Sequence, residues 1–340
     1  MVVSQRLISS TLTNRGSERK VDGVDERRDH VVRHLRWQVD NTNCPITSGV
    51  LAAAADDVDA DGPTWATLRP HAGLPGTDAL GLRLAGAAHR AALRGAAPDY
   101  ARHLPTCGGD GDVGAAVKAF LALLAGGTLD DDLRPVQTNE PGRLTALRPA
   151  FAAVRERLAL PLRLLEVGTS AGLLLRGAGP AVERRGCDPD PLDPTAPDDR
   201  LLLLSFVWAG QVERFRRLEA ALDAAAGDPV AVDRAEAGPW LREQLAAPRP
   251  GVATVVFHSV VWQYLSADGR AEAESVLRDA GGRATAEAPL AWLRFEPDDG
   301  LAGTRVTLWP GAADHLVATS GFHGQDLVWH GFPEDPIGQR

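Results

Sequence analysis

The chain has 340 residues, with 36 basic and 45 acidic side chains for a net charge of −9, and is 44% hydrophobic and 24% charged. That balance fits a globular protein with material for two compact units; it excludes collagen-like and largely disordered architectures and argues against sequence-independent nucleic-acid binding through a basic surface. No apolar run reaches the ~18 residues of a membrane span, residues 1–20 lack the apolar centre of a signal peptide, and Cys44, Cys107 and Cys187 form neither a C-x-x-C pair nor a disulfide framework.

The expectation is a cytoplasmic protein that acts on a small-molecule substrate, without nucleic acid, membrane or structural metal. Residues 1–28 are polar without an apolar period and are read as a disordered tail. Helices are expected at 29–39, 47–55 and 78–93, and the spacing of Val113, Val117, Phe120, Leu121 and Leu124 before Gly126 and Gly127 predicts another. Residues 29–133 thus read as an all-helical region, with the acidic run Asp130–Asp132, Arg134 and Pro135 as a break. Residues 137–141 open the next helix, with Thr138 or Asn139 as its cap. Its apolar stripe is Leu144, Leu147, Phe151, Val154 and Leu158, with Pro149 as a kink.

From Pro161 short runs rich in Val and Leu alternate with helix-length stretches. Strands are predicted at 162–167, 229–233, 252–258 and 290–295, with helices at 211–226, 240–246 and 270–280. Strand–helix alternation implies crossovers and a mostly parallel sheet. Later runs at 304–309, 316–319 and 326–329, punctuated by Gly311, Gly321 and Gly324, predict an antiparallel hairpin end. Residues 134–340 are therefore expected to form a Rossmann-like domain behind the helical region.

One stretch carries chemistry. Leu164–Val167 is an apolar strand containing Glu166, and it runs into Gly168, Thr169, Ser170, Ala171 and Gly172 at a helix start. Small residues let backbone approach a ligand, and an acidic group at the strand end accepts hydrogen bonds from a cationic or hydroxyl group. Three chemistries compete. A nicotinamide dinucleotide site wants G-x-G-x-x-G and finds only Gly168 and Gly172. The segment also spells the G-x-S-x-G of a serine hydrolase, with Asp298 and His315 or His323 following in chain order, but that turn belongs after several strands and helices precede it here. The third is the S-adenosylmethionine site of a Rossmann-like (class I) methyltransferase, with Ser170 in place of a middle glycine; the layout suits it best.

Five segments in order, 134–143 (RPVQTNEPGR), 165–173 (LEVGTSAGL), 185–188 (RGCD), 204–208 (LSFVW) and 255–264 (VVFHSVVWQY), resemble the bacterial family called domain of unknown function 2332. The resemblance runs from about Asp29 to the C-terminus and implies a methyltransferase-like Rossmann domain behind helices, with no established reaction. In relatives a longer segment separates the turn from the RGCD stretch. Here only Leu174–Arg184 intervene, and Gly177–Pro180 limit the helix after the turn to about six or seven residues against a usual eleven or twelve.

Further candidates surround the turn. Asp188 or Asp190 could bind ribose hydroxyls, with a solvated Pro/Asp loop as the alternative, and Asp233 is placed for the adenine side or for capping a turn. His258 and Ser259 end the strand 252–258, where His258 would act as a base or substrate ligand; Trp262 and Tyr264 either line a pocket or pack. Gln137, Asn139, Glu140 and Arg143 could form a lid, or serve as a helix cap and a surface ion pair. His30 and His34 share a helix face without a third ligand. The reading is a methyltransferase-like protein with S-adenosylmethionine at Glu166, Gly168, Thr169, Ser170 and Gly172. The alternatives are a Ser170 hydrolase and a non-catalytic nucleotide-binding scaffold.

Overall fold

A computed structural model describes residues 23–333 except 128 and 130–132. The acidic break at Asp130–Asp132 and most of the expected tail lie outside the described residues; residues 23–28 already belong to the first helix. In chain order the elements begin with α1 (Gly23–Asp40), α2 (Pro45–Asp59), α3 (Pro63–Leu68), α4 (Leu80–Leu93), α5 (Pro98–Ala101), α6 (Val113–Ala125) and α7 (Leu144–Leu158). They continue with β1 (Leu162–Val167), α8 (Leu173–Gly177), β2 (Glu183–Asp188), α9 (Pro197–Ser205), α10 (Val212–Ala225) and β3 (Ala231–Arg234). The last are α11 (Ala237–Gln244), β4 (Ala253–Ser259), α12 (Ala267–Gly282), β5 (Leu290–Asp298), β6 (Leu301–Trp309), β7 (Ala313–Ser320) and β8 (Val328–Trp329).

Two compact units result. The helical unit takes the described residues up to 138 together with 196–219, and the sheet unit takes 139–195 and the rest from 220. In the helical unit, Asp112 caps α6 by accepting from the Ala115 amide at 2.9 Å, and Ala116, Phe120 and Leu124 then form its buried stripe. Leu35, Leu51, Leu68, Leu84 and Leu104 join Phe120 in the core, each such side chain contributing roughly 1.5–3 kcal/mol of burial. His89 belongs to this core: its Nδ1 donates to the Ser205 carbonyl at 3.1 Å and its Nε2 meets Thr106 Oγ1 at 2.8 Å. Burial lowers its pKa to about 4.

The sheet unit holds eight strands in the order β3-β2-β1-β4-β5-β6-β7-β8. The first five are parallel, and β5 to β8 pair antiparallel. All residues of β1 and β4 are buried, as expected of central parallel strands covered on both faces. One face packs Leu162, Leu164, Val255, Phe257, Leu293 and Phe295 against Leu147, Phe151 and Val154 of α7; Phe151 meets Phe257 edge-on at 5.0 Å. The other face packs Leu165, Val167, Val256 and Trp292 against Trp240 and Leu241 of α11 and Leu277 of α12.

The entry to α7 differs from expectation. Pro141–Arg143 form a separate 3₁₀ turn, capped by Glu140 Oε1 accepting from the Gly142 amide at 2.8 Å, so neither Thr138 nor Asn139 is the cap. Among the described residues no helix is long and apolar enough to cross a membrane, and no group of three or more His, Cys, Asp or Glu is placed to hold a metal ion. The rings of His30 and His34 lie with centroids 4.0 Å apart and planes tilted by 56°.

Candidate functional site

The five parallel strands end at one edge of the sheet. Their order reverses between β1 and β4, the position beyond which ligands bind in open parallel sheets. The turn after β1 lies at that point. The Gly168 and Thr169 amides donate to the Cys187 carbonyl at 2.9 and 3.1 Å, the Ser170 amide to Asp188 Oδ2 at 2.9 Å, and the Gly172 amide to the Thr169 carbonyl at 2.8 Å. Gly168 (φ 69°), Ser170 (φ 50°) and Gly172 (φ 73°) are left-handed. At Gly168 a side chain is also barred by space, since a Cβ would lie 2.5 Å from Val261 Cγ2. The bend thereby curls over the end of β2.

Glu166 lies beneath it, 1% exposed. Thr169 Oγ1 donates to its Oε2 at 2.5 Å, and Thr169 fits there because Gly186 beside it has no side chain: a Cβ would come within 2.7 Å of Thr169 Cβ. Burial pushes the Glu166 carboxyl up to about 8, with the Asp188 charge adding to the rise, while the Thr169 hydroxyl, the Arg143 charge and the Leu175 amide oppose it. At neutral pH this favours the protonated carboxyl of Glu166.

The same face gathers several expected residues. Asn139 Oδ1 accepts from the Leu173 amide at 2.9 Å, tying the chain ahead of α7 to the start of α8. Arg143 donates through Nη1 to the Ser259 carbonyl at 2.8 Å and to Ser259 Oγ at 3.1 Å, and through Nε to the Phe322 carbonyl at 3.2 Å. Glu140 Oε2 lies 3.7 Å from His323 Nδ1. Asn139, Glu140, Arg143 and Ser259 are all buried, so they are fixed parts of the sheet unit rather than a surface ion pair. Gln137 is half-buried and groups with the helical unit.

The acidic candidates at the ends of β2 and β3 are engaged. Asp188 accepts from the Ser170 and Asp190 amides at 2.9 Å each, and burial raises its carboxyl. Asp190 pairs with Arg234 at 2.8 Å. Asp233 receives Arg185 at 2.6 and 2.7 Å and Trp240 Nε1 at 2.7 Å, and the Arg185 bonds hold its carboxyl below the usual range. Asp188 shapes the turn, and Asp233 anchors Trp240.

His258 stands apart from Glu166. The register pairs Glu166 with Phe257 and Val167 with His258, and alternation along the strand places His258 on the opposite face. There its Nδ1 meets Glu296 Oε1 at 2.6 Å, and its ring stacks on Trp262 at 4.3 Å and 14°. Glu296 lies beyond the strand expected at 290–295, because β5 runs on to Asp298 and keeps the alternation of Trp292 and Arg294. The hydrolase candidates do not assemble as a triad through His315: it lies on β7, four positions from β1 in the sheet, about 19 Å at ~4.8 Å per strand. Its ring meets Phe332 at 5.4 Å, and Asp298 is engaged by Arg305 at 3.1 Å.

No curated protein matches the chain. A family model described as an uncharacterized protein conserved in bacteria (DUF2332) matches residues 32–178 and 176–329. The two segments meet at the end of α8, where the connection to β2 is short. Together they span most of the chain, which belongs to this family.

Proposed function

We propose that the protein is a Rossmann-like, methyltransferase-like enzyme that binds S-adenosylmethionine, or a related adenosine compound, at the turn after β1 and passes a methyl group to a small molecule. The observation that carries this reading is the left-handed glycine turn with Glu166 beneath it, beside Asp188, where the strand order reverses. Glu166 would receive the ammonium of the ligand's amino-acid end, which offsets the burial that now keeps the carboxyl protonated. Gly168 and Gly172 supply the close backbone approach, Thr169 holds the carboxyl in place, and Asp188 offers oxygens toward ribose hydroxyls while orienting Ser170. The bound sulfonium compound supplies an electrophilic methyl group; the protein's own share is binding, orientation and exclusion of water.

A second reading, a non-catalytic scaffold with a degenerate pocket, is favoured by the engagement of both Asp188 oxygens and by an α8 of only five residues. Calorimetric titration with S-adenosylhomocysteine separates the two. Wild type is expected to bind, and Glu166→Gln, which cannot become a carboxylate, to bind at least about tenfold more weakly, as expected for loss of a charged hydrogen bond. Absence of heat in wild type, or equal affinities, rejects the adenosyl reading.

A further inference from the structure

The face opposite Glu166 carries a cluster that the adenosyl reading does not use. Alternation along β5 brings Trp292, Arg294 and Glu296 to one side, and the register sets Arg294 beside His258. Glu296 Oε1 accepts the Val261 amide at 2.9 Å and the Trp262 amide at 3.3 Å, and it also lies against His258 Nδ1. An oxygen that accepts from backbone amides is the acceptor at its third contact as well. Nδ1 therefore carries a proton, and in the neutral imidazole Nε2 presents a lone pair.

That lone pair is buried and meets no hydrogen-bond partner, and the same holds for Glu296 Oε2, Trp292 Nε1 and Arg294 Nε. Buried polar atoms in folded proteins are ordinarily paired. Here two acceptors and two donors without partners share one sheet face, among rings 4.3 to 5.9 Å apart. Trp262, which covers the imidazole, is only half-buried, and its indole N–H makes a long 3.4 Å bond to Glu274. The turn that delivers it is strained, since the β-branched Val260 sits at φ 55°.

We propose that this cluster is a proton-accepting site for a small, flat, neutral molecule bearing a weakly acidic hydroxyl or ring N–H. The tryptophans select a flat body and Glu296 disfavours an anion, while Arg294, paired with Asp314, adds no net charge to the site. On transfer the ligand's O–H (or N–H) bond breaks, its electron pair stays on the ligand atom, and the proton forms the Nε2–H bond. Glu296 keeps its bond to Nδ1–H and neutralises the imidazolium. The proposal does not rest on the adenosyl reading, since it concerns other residues on another face.

The test is nitrogen NMR of the full chain labelled in histidine, titrated with phenol as the probe at pH 8. Two-bond proton–nitrogen correlations report the tautomer. The His258 signals are assigned by their loss in His258→Gln or, where that variant does not fold, by their shift in Glu296→Asp. The expected result is an Nδ1–H tautomer whose Nε2 resonance moves with phenol, and at least about tenfold weaker phenol binding in Glu296→Gln. An Nε2–H tautomer, or a wild-type Nε2 resonance that phenol leaves unmoved up to its solubility limit, overturns the proposal.

Discussion

Glu166 is where the physics of single residues bears most directly on function. Its carboxyl rises from 4.5 to about 8 first because it is buried. Between those values the folded chain holds a proton that the unfolded chain has released. The contribution to stability is therefore complete below about 4.5 and declines as pH climbs toward about 8, by up to about 1.4 kcal/mol per pH unit. Denaturant unfolding of wild type and Glu166→Gln at a series of pH values should show the stability difference shifting against wild type from pH 5 to 8, then levelling off. A difference independent of pH contradicts a buried, protonated Glu166. The residue types around it were legible, because an acidic strand end followed by spaced glycines is a local pattern. The role of Thr169 was not: its bond to Glu166 depends on Gly186, seventeen residues downstream on another strand.

At the scale of elements, β2 shows why a strand can hide in a sequence. Glu183, Arg184 and Arg185 give it no apolar alternation, and its end at Asp188 is legible only as an acidic residue about 20 residues past the glycine turn. Its charges are balanced by neighbours: Arg163 on Glu183, Asp228 on Arg184 and Asp233 on Arg185. The Arg185–Asp233 pair is partly exposed and contributes little as a charge pair, but Asp233 also satisfies the N–H of Trp240, which is 3% exposed. Asp233→Ala should cost about 1–3 kcal/mol, the penalty for a buried donor left unpaired, and Asp233→Asn, which keeps an acceptor, should cost less. Equal losses in thermal or denaturant unfolding would show that Asp233 does not act through Trp240. The capping at α7 teaches the same lesson: Asn139 has the better cap chemistry, yet it is drawn to the Leu173 amide, and Glu140 caps the 3₁₀ turn.

For the whole molecule, the expected order of helices then a mostly parallel sheet with antiparallel strands at its end matches the observed architecture, since most of its elements, β2 excepted, announce themselves by periodicity. What periodicity does not contain is long-range pairing. Residues 196–219 group with the helical unit although they follow β2, and Phe206 fits against Gly86, where a Cβ would approach its ring to 2.7 Å. Register likewise divides Glu166 and His258 between two faces, although both end apolar strands and read as one site. The account depends on the bend from Gly168 to Leu175 being the place where an adenosyl ligand sits. Amide hydrogen exchange with and without saturating S-adenosylhomocysteine tests it residue by residue. Exchange at residues 168–175 is predicted to slow at least about tenfold, corresponding to about 1.4 kcal/mol of added local stability. Unchanged exchange there, whatever happens elsewhere in the chain, contradicts the account.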